Sequence, residues 1–333
     1  MFAVELVVAL LVILAAAEVF TNALEHLGER LGISEGVTGS IFAAVGTALP
    51  ETLIPLLAVF AGTAHVEINE EIGVGAILGA PLMLSTLSLF LMGLAAFRGR
   101  RLGGYFTPEP TGLGRDLNFF LLAFGLSAVA MFVPHSLPSI RAGIAVGLLL
   151  IYFFYVLVTI RASSDLVDQG HGTQAHRGML FARLGLPDHT ASVVLQLTVA
   201  LALLVGGAKG FVYGVAGGAA LLGVSPLLLS LLLVPVATEL PEKINSILWI
   251  RRRKDTLAFG NITGAMVFQG TLLPAIGIML TPWDPRREVL LGVVLTLAAA
   301  AWLRIALARG PLRVWQLSLN GALYVLYLVA TLR

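Results

Sequence analysis

The sequence predicts an all-α polytopic membrane protein, with ten transmembrane helices arranged as two inverted five-helix repeats. Three observations carry that expectation. The 333 residues are 58% hydrophobic and only 12% charged, about half the charged share of a soluble globular domain. The apolar residues gather into blocks of about 20, the length that crosses a bilayer core as a helix. One short motif occurs twice, as "GTALPE" at Gly46–Glu51 and "ATELPE" at Ala237–Glu242, 191 residues apart. The blocks do not alternate apolar and polar residues as barrel strands do.

Reading the apolar blocks in order gives spans at 3–24, 37–63, 71–97, 117–134, 139–160, 190–217, 225–250, 256–280, 288–306 and 312–332. The first opens on "MFAVELVVALLVILAAAEVF". It has no basic leader and no evident small-residue cleavage site, so it is expected to remain as a helix. The second and seventh spans hold the repeated motif. The third contains "EIGVGAILGAPL" and the eighth "TLAFGNITGAMV", matched at a spacing of 185 residues. "GGAKGFVYGVAGG" in the sixth weakens an isolated helix, but glycine is common where membrane helices pack closely. The polar stretch Arg161–His189 divides the chain into a first repeat, 1–161, a connecting loop, 162–189, and a second repeat, 190–333. His171 and His176 in that loop have no third ligand and read as solvated loop residues.

Charge placement orients the spans. With the N-terminus outside, the inward loops carry Arg30, the Arg98–Arg101 cluster, Arg115, Arg161, Arg177, Arg183, the "RRRK" run at Arg251–Lys254, Arg304, Arg309 and Arg313. The outward segments carry Arg141, Arg286, Arg287 and Arg333. Basic loops stay cytoplasmic, so both termini are expected outside. The basic run is explained by topology, without nucleic acid. An odd number of spans per half makes the second copy enter the bilayer from the opposite side, a plan frequent in secondary transporters with a site at the repeat interface.

The motif itself sets the chemistry. Pro50 cannot donate to the carbonyl of Gly46, nor Pro241 to that of Ala237. Each helix is therefore expected to open near mid-membrane, freeing a neutral oxygen ligand, with Pro55 and Pro235 adding a second break. Thr47 and Thr238 supply hydroxyls beside those carbonyls, and Glu51 and Glu242 follow each proline. A lone carboxylate at this depth costs several kcal/mol, and two together repel. A divalent cation between them reverses the sign, and calcium takes six to eight oxygens, carboxylate and carbonyl alike. The alternative is a pair of proline kinks whose glutamates are protonated or satisfied by neighbours. Glu239 and Lys243, four residues apart, are either a structural ion pair or a third anionic ligand with a built-in counter-charge. Glu18, with Asn22 four residues on, reads as packing polarity. Glu67, Glu70 and Glu71 read as an outer turn that also suits a cation entrance.

At these residues the sequence resembles the sodium/calcium exchangers of the calcium/cation antiporter superfamily. Their two repeats carry G-T-S-x-P-E on the second and seventh helices, each followed by a G-N/D-x-x-G-S type stretch on the third and eighth. The resemblance implies ten helices in two inverted repeats, with cations bound among helices two, three, seven and eight. It also implies antiport of calcium against sodium or protons by alternating access. Carried over by position, Thr47, Glu51, Thr238 and Glu242 line the site and Asn261 joins them from the eighth helix, or else serves only as an interhelical hydrogen-bonding residue. The chain departs from the pattern at Ala48 and Glu239, where the family has serine, at Ala76, which matches Asn261 without a ligand atom, and at Lys243.

An enzyme is not expected: there is no H-E-x-x-H, no G-x-S-x-G and no cysteine. The expected partners are inorganic cations and the lipid bilayer, with transported ions in place of any cofactor. An exchanger for another cation such as magnesium, a proton-coupled calcium antiporter, and a non-transporting membrane scaffold remain as alternatives.

Overall fold

The structure, a computed structural model, describes residues 2–30, 49–62, 64–167, 178–183, 185–187 and 189–332. It is all-helical, with no strand among the described residues. In chain order the elements are α1 (Phe2–Arg30), α2 (Leu49–Ala61), α3 (Val66–Met83), a π-helical turn (Leu84–Ser88), α4 (Leu89–Arg100), α5 (Pro110–Ala130), α6 (Pro138–Val167) and a short α7 (Leu180–Arg183). These are followed by α8 (Thr190–Leu222), α9 (Pro226–Thr238), α10 (Leu240–Arg251), α11 (Asp255–Leu280), α12 (Arg287–Ala308) and α13 (Gln316–Thr331). Among the described residues, six runs are long and apolar enough to cross a membrane: the continuous stretch from Val66 to Phe97, α5, α6, α8, α11 and α12. Shorter apolar runs lie in α2, α9 and α13.

Several boundaries differ from the sequence expectation for identifiable reasons. The fourth span starts at Pro110, because Glu109 caps it: the Glu109 carboxylate accepts from the Thr111 N–H at 2.7 Å and the Gly112 N–H at 2.5 Å. Arg115 is thus helical and not part of a loop. α6 likewise continues through Arg161 to Val167. α8 is one 33-residue helix despite its glycines. Pro55 and Pro235 lie inside α2 and α9 and do not break them. Among the described residues the break comes at the second motif, where α9 ends at Thr238 and α10 starts at Leu240, with Glu239 between them at φ −93°, ψ 8°. Pro241 sits at the start of α10, where its missing N–H would have no helical partner anyway. The first half of the second span, including Gly46, Thr47 and Ala48, lies outside the described residues, as do His171 and His176.

The helices are pulled close by small residues and single buried hydrogen bonds. α1 packs along α8, α9 along α3, and α11 against α5 and α6. In "GVGAILGA", Gly75 and Gly79 face α9 one turn apart: a β-carbon would fall 2.5 Å from the Leu227 carbonyl oxygen at the first and 2.2 Å from that of Leu231 at the second. This is the small-xxx-small approach of membrane helix pairs. The Ser230 hydroxyl donates to the Ile72 carbonyl across the same interface at 2.7 Å. On the other seam, Gln196 donates to Asn22 Oδ1 at 3.0 Å and to the Val19 carbonyl at 2.9 Å, so Asn22 is packing polarity between α1 and α8. Asn320 of α13 donates to the Ser85 carbonyl at 2.7 Å, satisfying backbone in the π turn.

The connections collect at two ends. At one, Arg100 forms a bidentate pair with Asp255, both bonds 2.6 Å, and also donates to the Ile250 carbonyl. Thr107 N–H adds a bond to Asp255 at 2.8 Å, and Phe106 N–H donates to the Leu312 carbonyl. At the other, Arg286 pairs with Glu71, and Arg141 is buried with its guanidinium on the carbonyls of Ile278 and Pro282. The Lys and Arg of the 98–101, 251–254 and 309–313 segments therefore share one end, the grouping their count in sequence anticipates.

Two stability tests follow from these contacts. Gly79→Ala should cost more than the usual overpacking range of about 1–3 kcal/mol, because the obstruction is backbone. Gly125→Ala in α5 meets open space and should be neutral or stabilising by about 0.5–1 kcal/mol. Thermal unfolding in detergent reads both signs. Asp255→Ala should cost about 3–5 kcal/mol by stranding the buried Arg100, a loss that Arg100→Ala in the same chain should partly restore.

Candidate functional site

Glu51 stands in the first turn of α2 and Glu242 in the first turn of α10. Glu239 occupies the junction between α9 and α10. Lys243 follows one residue after Glu242. All four are buried, with Glu239 fully inaccessible. Glu51 is in electrostatic contact with Glu242, Glu239 and Lys243. Lys243 feels the charge of all three carboxylates, and its ion pair is with Glu239. The two motifs, 191 residues apart in sequence, thus bring their glutamates into one buried region. From that point α2 runs to Gly62, whose carbonyl accepts from Tyr213, whereas α10 runs to Arg251 beside the Arg100–Asp255 end. The two glutamate-bearing helices leave the cluster in opposite directions.

The local chain explains this placement. At the α9–α10 junction a C-terminal helix end and an N-terminal helix end face the same space. Glu239 and Glu242 lie at the N-terminal end, whose partial positive charge favours anions. Lys243 Nζ turns back to the C-terminal end of α9, donating to the Pro235 carbonyl at 3.0 Å, with Met83 Sδ of α3 at 2.7 Å. Glu239 Oε2 is 3.8 Å from the same ammonium. Gln269 approaches Glu239 from α11, but neither Glu239 oxygen has a hydrogen-bond partner among the described residues. The same holds for both oxygens of Glu51. With all four groups ionised, three carboxylates and one ammonium leave a formal charge of −2 inside an apolar bundle.

The other sequence candidates fall around this cluster in different ways. Thr238 is buried and its hydroxyl donates to the Val234 carbonyl at 3.1 Å, leaving its lone pairs. Asn261 of α11 donates to the Glu242 carbonyl at 3.1 Å and to Ser246 Oγ at 3.0 Å. It clasps α10 to α11 through backbone, one step behind the Glu242 carboxylate. Ala237 closes the last turn of α9, and Ala76 is buried in α3. Gly46 and Thr47 are not among the described residues. Glu18, read as packing polarity, is exposed. Among the described residues no group of three or more His, Asp or Glu side chains is arranged to hold a metal ion. The three glutamates are electrostatic neighbours that do not converge on one point. Glu67, Glu70 and Glu71 do line a cavity of about 260 Å³ with Asp284 and Arg286, at the end of the bundle where α3 begins.

Sequence reasoning missed Gln269, Met83 and a second buried carboxylate. Asp116 in α5 accepts from Tyr155 Oη of α6 at 3.0 Å and from Thr263 Oγ1 of α11 at 2.8 Å, with Arg115 Nε 3.7 Å away. It was hidden because the fourth span was read as beginning after it; the "EPTG" cap at Glu109–Gly112 is the signal that places it inside the helix. Asp116→Ala should leave both hydroxyls unpaired, at about 1–3 kcal/mol each. Tyr155→Phe should cost less, since Thr263 still serves the carboxylate; detergent melts of the two variants compare them.

Comparison with known proteins agrees with this arrangement. The family model described as "Sodium/calcium exchanger protein" matches residues 1–161 and 192–333. The inner membrane protein YrbG of Escherichia coli (strain K12) is 26% identical over 279 residues, 84% of this chain and 80% of its own. Among solved structures, the H+/Ca2+ exchanger CAX superposes with a TM-score of 0.73 at 19% identity, covering 100% of this chain and 82% of that one. The sodium-calcium exchanger NCX_Mj superposes with a TM-score of 0.61 at 20% identity, covering 100% of this chain and 98% of that one.

Proposed function

The chain belongs to the sodium/calcium exchanger protein family, and from that premise we propose that it is a secondary active antiporter that moves a divalent cation, calcium, against sodium or protons by alternating access. It is an integral membrane transporter and not an enzyme. On this reading the helices form two inverted five-helix units, 1–161 and 190–333, joined by a cytoplasmic loop, with both termini outside. The opposite headings of α2 and α10 support the inversion, and the gathering of basic residues at one end supports the orientation.

One observation carries the assignment: the buried meeting of Glu51 and Glu242, with Glu239 beside them and Lys243 the cation, among the described residues, whose charge acts on all three. A residual charge of −2 in a low-dielectric bundle is costly, and a single divalent ion neutralises it. Without an ion, like charges hold the carboxylates apart, so their convergence belongs to the bound state. Thr238, Ala237 and the corresponding Gly46 and Thr47 would complete the oxygen set. Asn261 would fix the height of Glu242 through its backbone. Two sodium ions or two protons offer the same neutralisation, and that equivalence supplies coupling, because the empty site is disfavoured while it crosses. Calcium is favoured over magnesium because loosely spaced carboxylate and carbonyl oxygens suit a large, irregular shell better than a tight octahedron. The acidic cavity of Glu67, Glu70 and Glu71 would gather cations before entry.

Ion flux in proteoliposomes, with calcium, magnesium, sodium and pH varied separately, tests this reading. Glu51→Gln and Glu242→Gln should each abolish divalent uptake while the protein still reconstitutes. Normal uptake by both variants would remove the site assignment. Calcium should also raise the melting temperature of the wild type by mass action, which a non-transporting scaffold would not show.

A further inference from the structure

The divalent reading takes Lys243 only as one positive charge in the net −2; where that charge sits says more. Its ammonium lies in a buried recess between the C-terminal end of α9, α3 and the Glu239 carboxylate. The recess offers the Pro235 carbonyl at 3.0 Å, Met83 Sδ at 2.7 Å and Glu239 Oε2 at 3.8 Å. Around the ammonium, the oxygens are a helix-terminal carbonyl, at the end of the macrodipole that favours cations, and one carboxylate without hydrogen bonds. Neutral or singly charged oxygens around a space of ammonium size are the donor set of a small monovalent cation. A structural ion pair built for stability would be expected to satisfy both partners, since a buried pair offsets its desolvation only when the remaining lone pairs are bonded. Here Glu239 is fully buried and, among the described residues, neither of its oxygens has a well-formed hydrogen bond, with Gln269 only approaching it.

We propose that the Lys243 ammonium is a tethered monovalent cation, permanently filling a cation subsite formed by Glu239 and the Pro235 carbonyl beside the Glu51–Glu242 site. The inference rests on the antiporter reading for its purpose but not for its test. A resident charge fixes the residual at −2, so a divalent ion and two monovalent ions become equivalent occupants. Without the lysine the residual becomes −3, and a further monovalent ion is needed. Lys243 is therefore the residue that sets how many mobile monovalent cations the protein binds.

The experiment compares wild type, Lys243→Arg, Lys243→Met and the double variant Glu239→Gln/Lys243→Met. Each is purified in detergent and melted across sodium, potassium and choline chloride series at constant ionic strength. Lys243→Met should gain several degrees in sodium or potassium over choline, saturating with concentration, beyond any shift the wild type shows. Lys243→Arg and the double variant should match the wild type, because each restores the charge balance. An equal response of Lys243→Met and wild type overturns the proposal. So does a Lys243→Met protein that fails to fold in every salt while the double variant folds, which would make the ammonium a structural partner only. Failure of both methionine variants to fold in any salt would make the pair a packing element and equally overturn it. Calcium flux by the wild type is measured alongside. Its absence would remove the antiporter reading while a monovalent-specific gain in Lys243→Met would still stand.

Discussion

The constraint on which the molecule turns is the burial of three carboxylates beside a single ammonium, deep in a bundle of apolar helices. Each ionised carboxylate taken from water costs several kcal/mol even after relaxation, and an isolated charge in the hydrocarbon region costs several more. No amount of apolar packing around Glu51, Glu239 and Glu242 offsets this, because packing does not discriminate the charged form. What offsets it is chosen locally: a helix N-terminal end under Glu242, a lysine four residues past Glu239, and ions from solution. The broken helix is a consequence. A continuous α9–α10 would present no terminal N–H groups to Glu242 and no terminal carbonyl to Lys243. Pro241 favours the discontinuity, since its fixed φ and missing N–H suit the first turn of α10.

The rest of the fold reads as the scaffold that makes such a junction tolerable. Non-helical backbone at membrane depth persists only where protein surrounds it. α3 supplies that surround by closing on α9 through Gly75 and Gly79, and it brings Met83 to the ammonium in the same approach. The π turn at Leu84–Ser88 follows immediately, its Ser85 carbonyl taken up by Asn320. From the opposite side α11 holds α10 through Asn261 and Ser246, bonding backbone and hydroxyl while leaving the Glu242 carboxylate to the cluster. The strongest ionic clamp, Arg100–Asp255, lies at the end of α4 and α11, where it fixes helix ends without adding charge to the cluster.

How much of this was legible in the sequence depends on which physics wrote each feature. Span positions are written by hydropathy, and a described helix overlaps each of the apolar blocks, several running past its ends. The meeting of Glu51 and Glu242 was legible because duplication is a long-range signal: two copies of a charged, proline-bearing motif at midspan imply one symmetric junction. Boundaries were less so. α5 starts seven residues before its apolar run, since a cap at Glu109 and polar residues facing Tyr155 and Thr263 extend it, and hydropathy cannot see either. Pro55 and Pro235 were read as breaks, yet both sit within continuous helices, where neighbouring segments compensate a lost bond. Asn261 was read as a candidate ligand. Whether a side-chain amide faces an ion or a carbonyl is decided by a rotation of α11 that no local pattern records.

Lys243 shows why sequence spacing alone could not decide between structural pair and functional charge. Residues four apart on a helix meet as a matter of course, so the spacing of Glu239 and Lys243 predicts contact under either reading. The helix break changes the meaning of that contact. With α9 ended at Thr238, the ammonium is free to turn toward the Pro235 carbonyl as well as toward Glu239, and the carboxylate is left only partly answered, 3.8 Å away. A pair evolved for stability alone would gain by shortening that distance. Its place among three acids fits a different demand: to hold the net charge of the cluster at a value that an arriving divalent ion, and the ions exchanged for it, can cancel in turn.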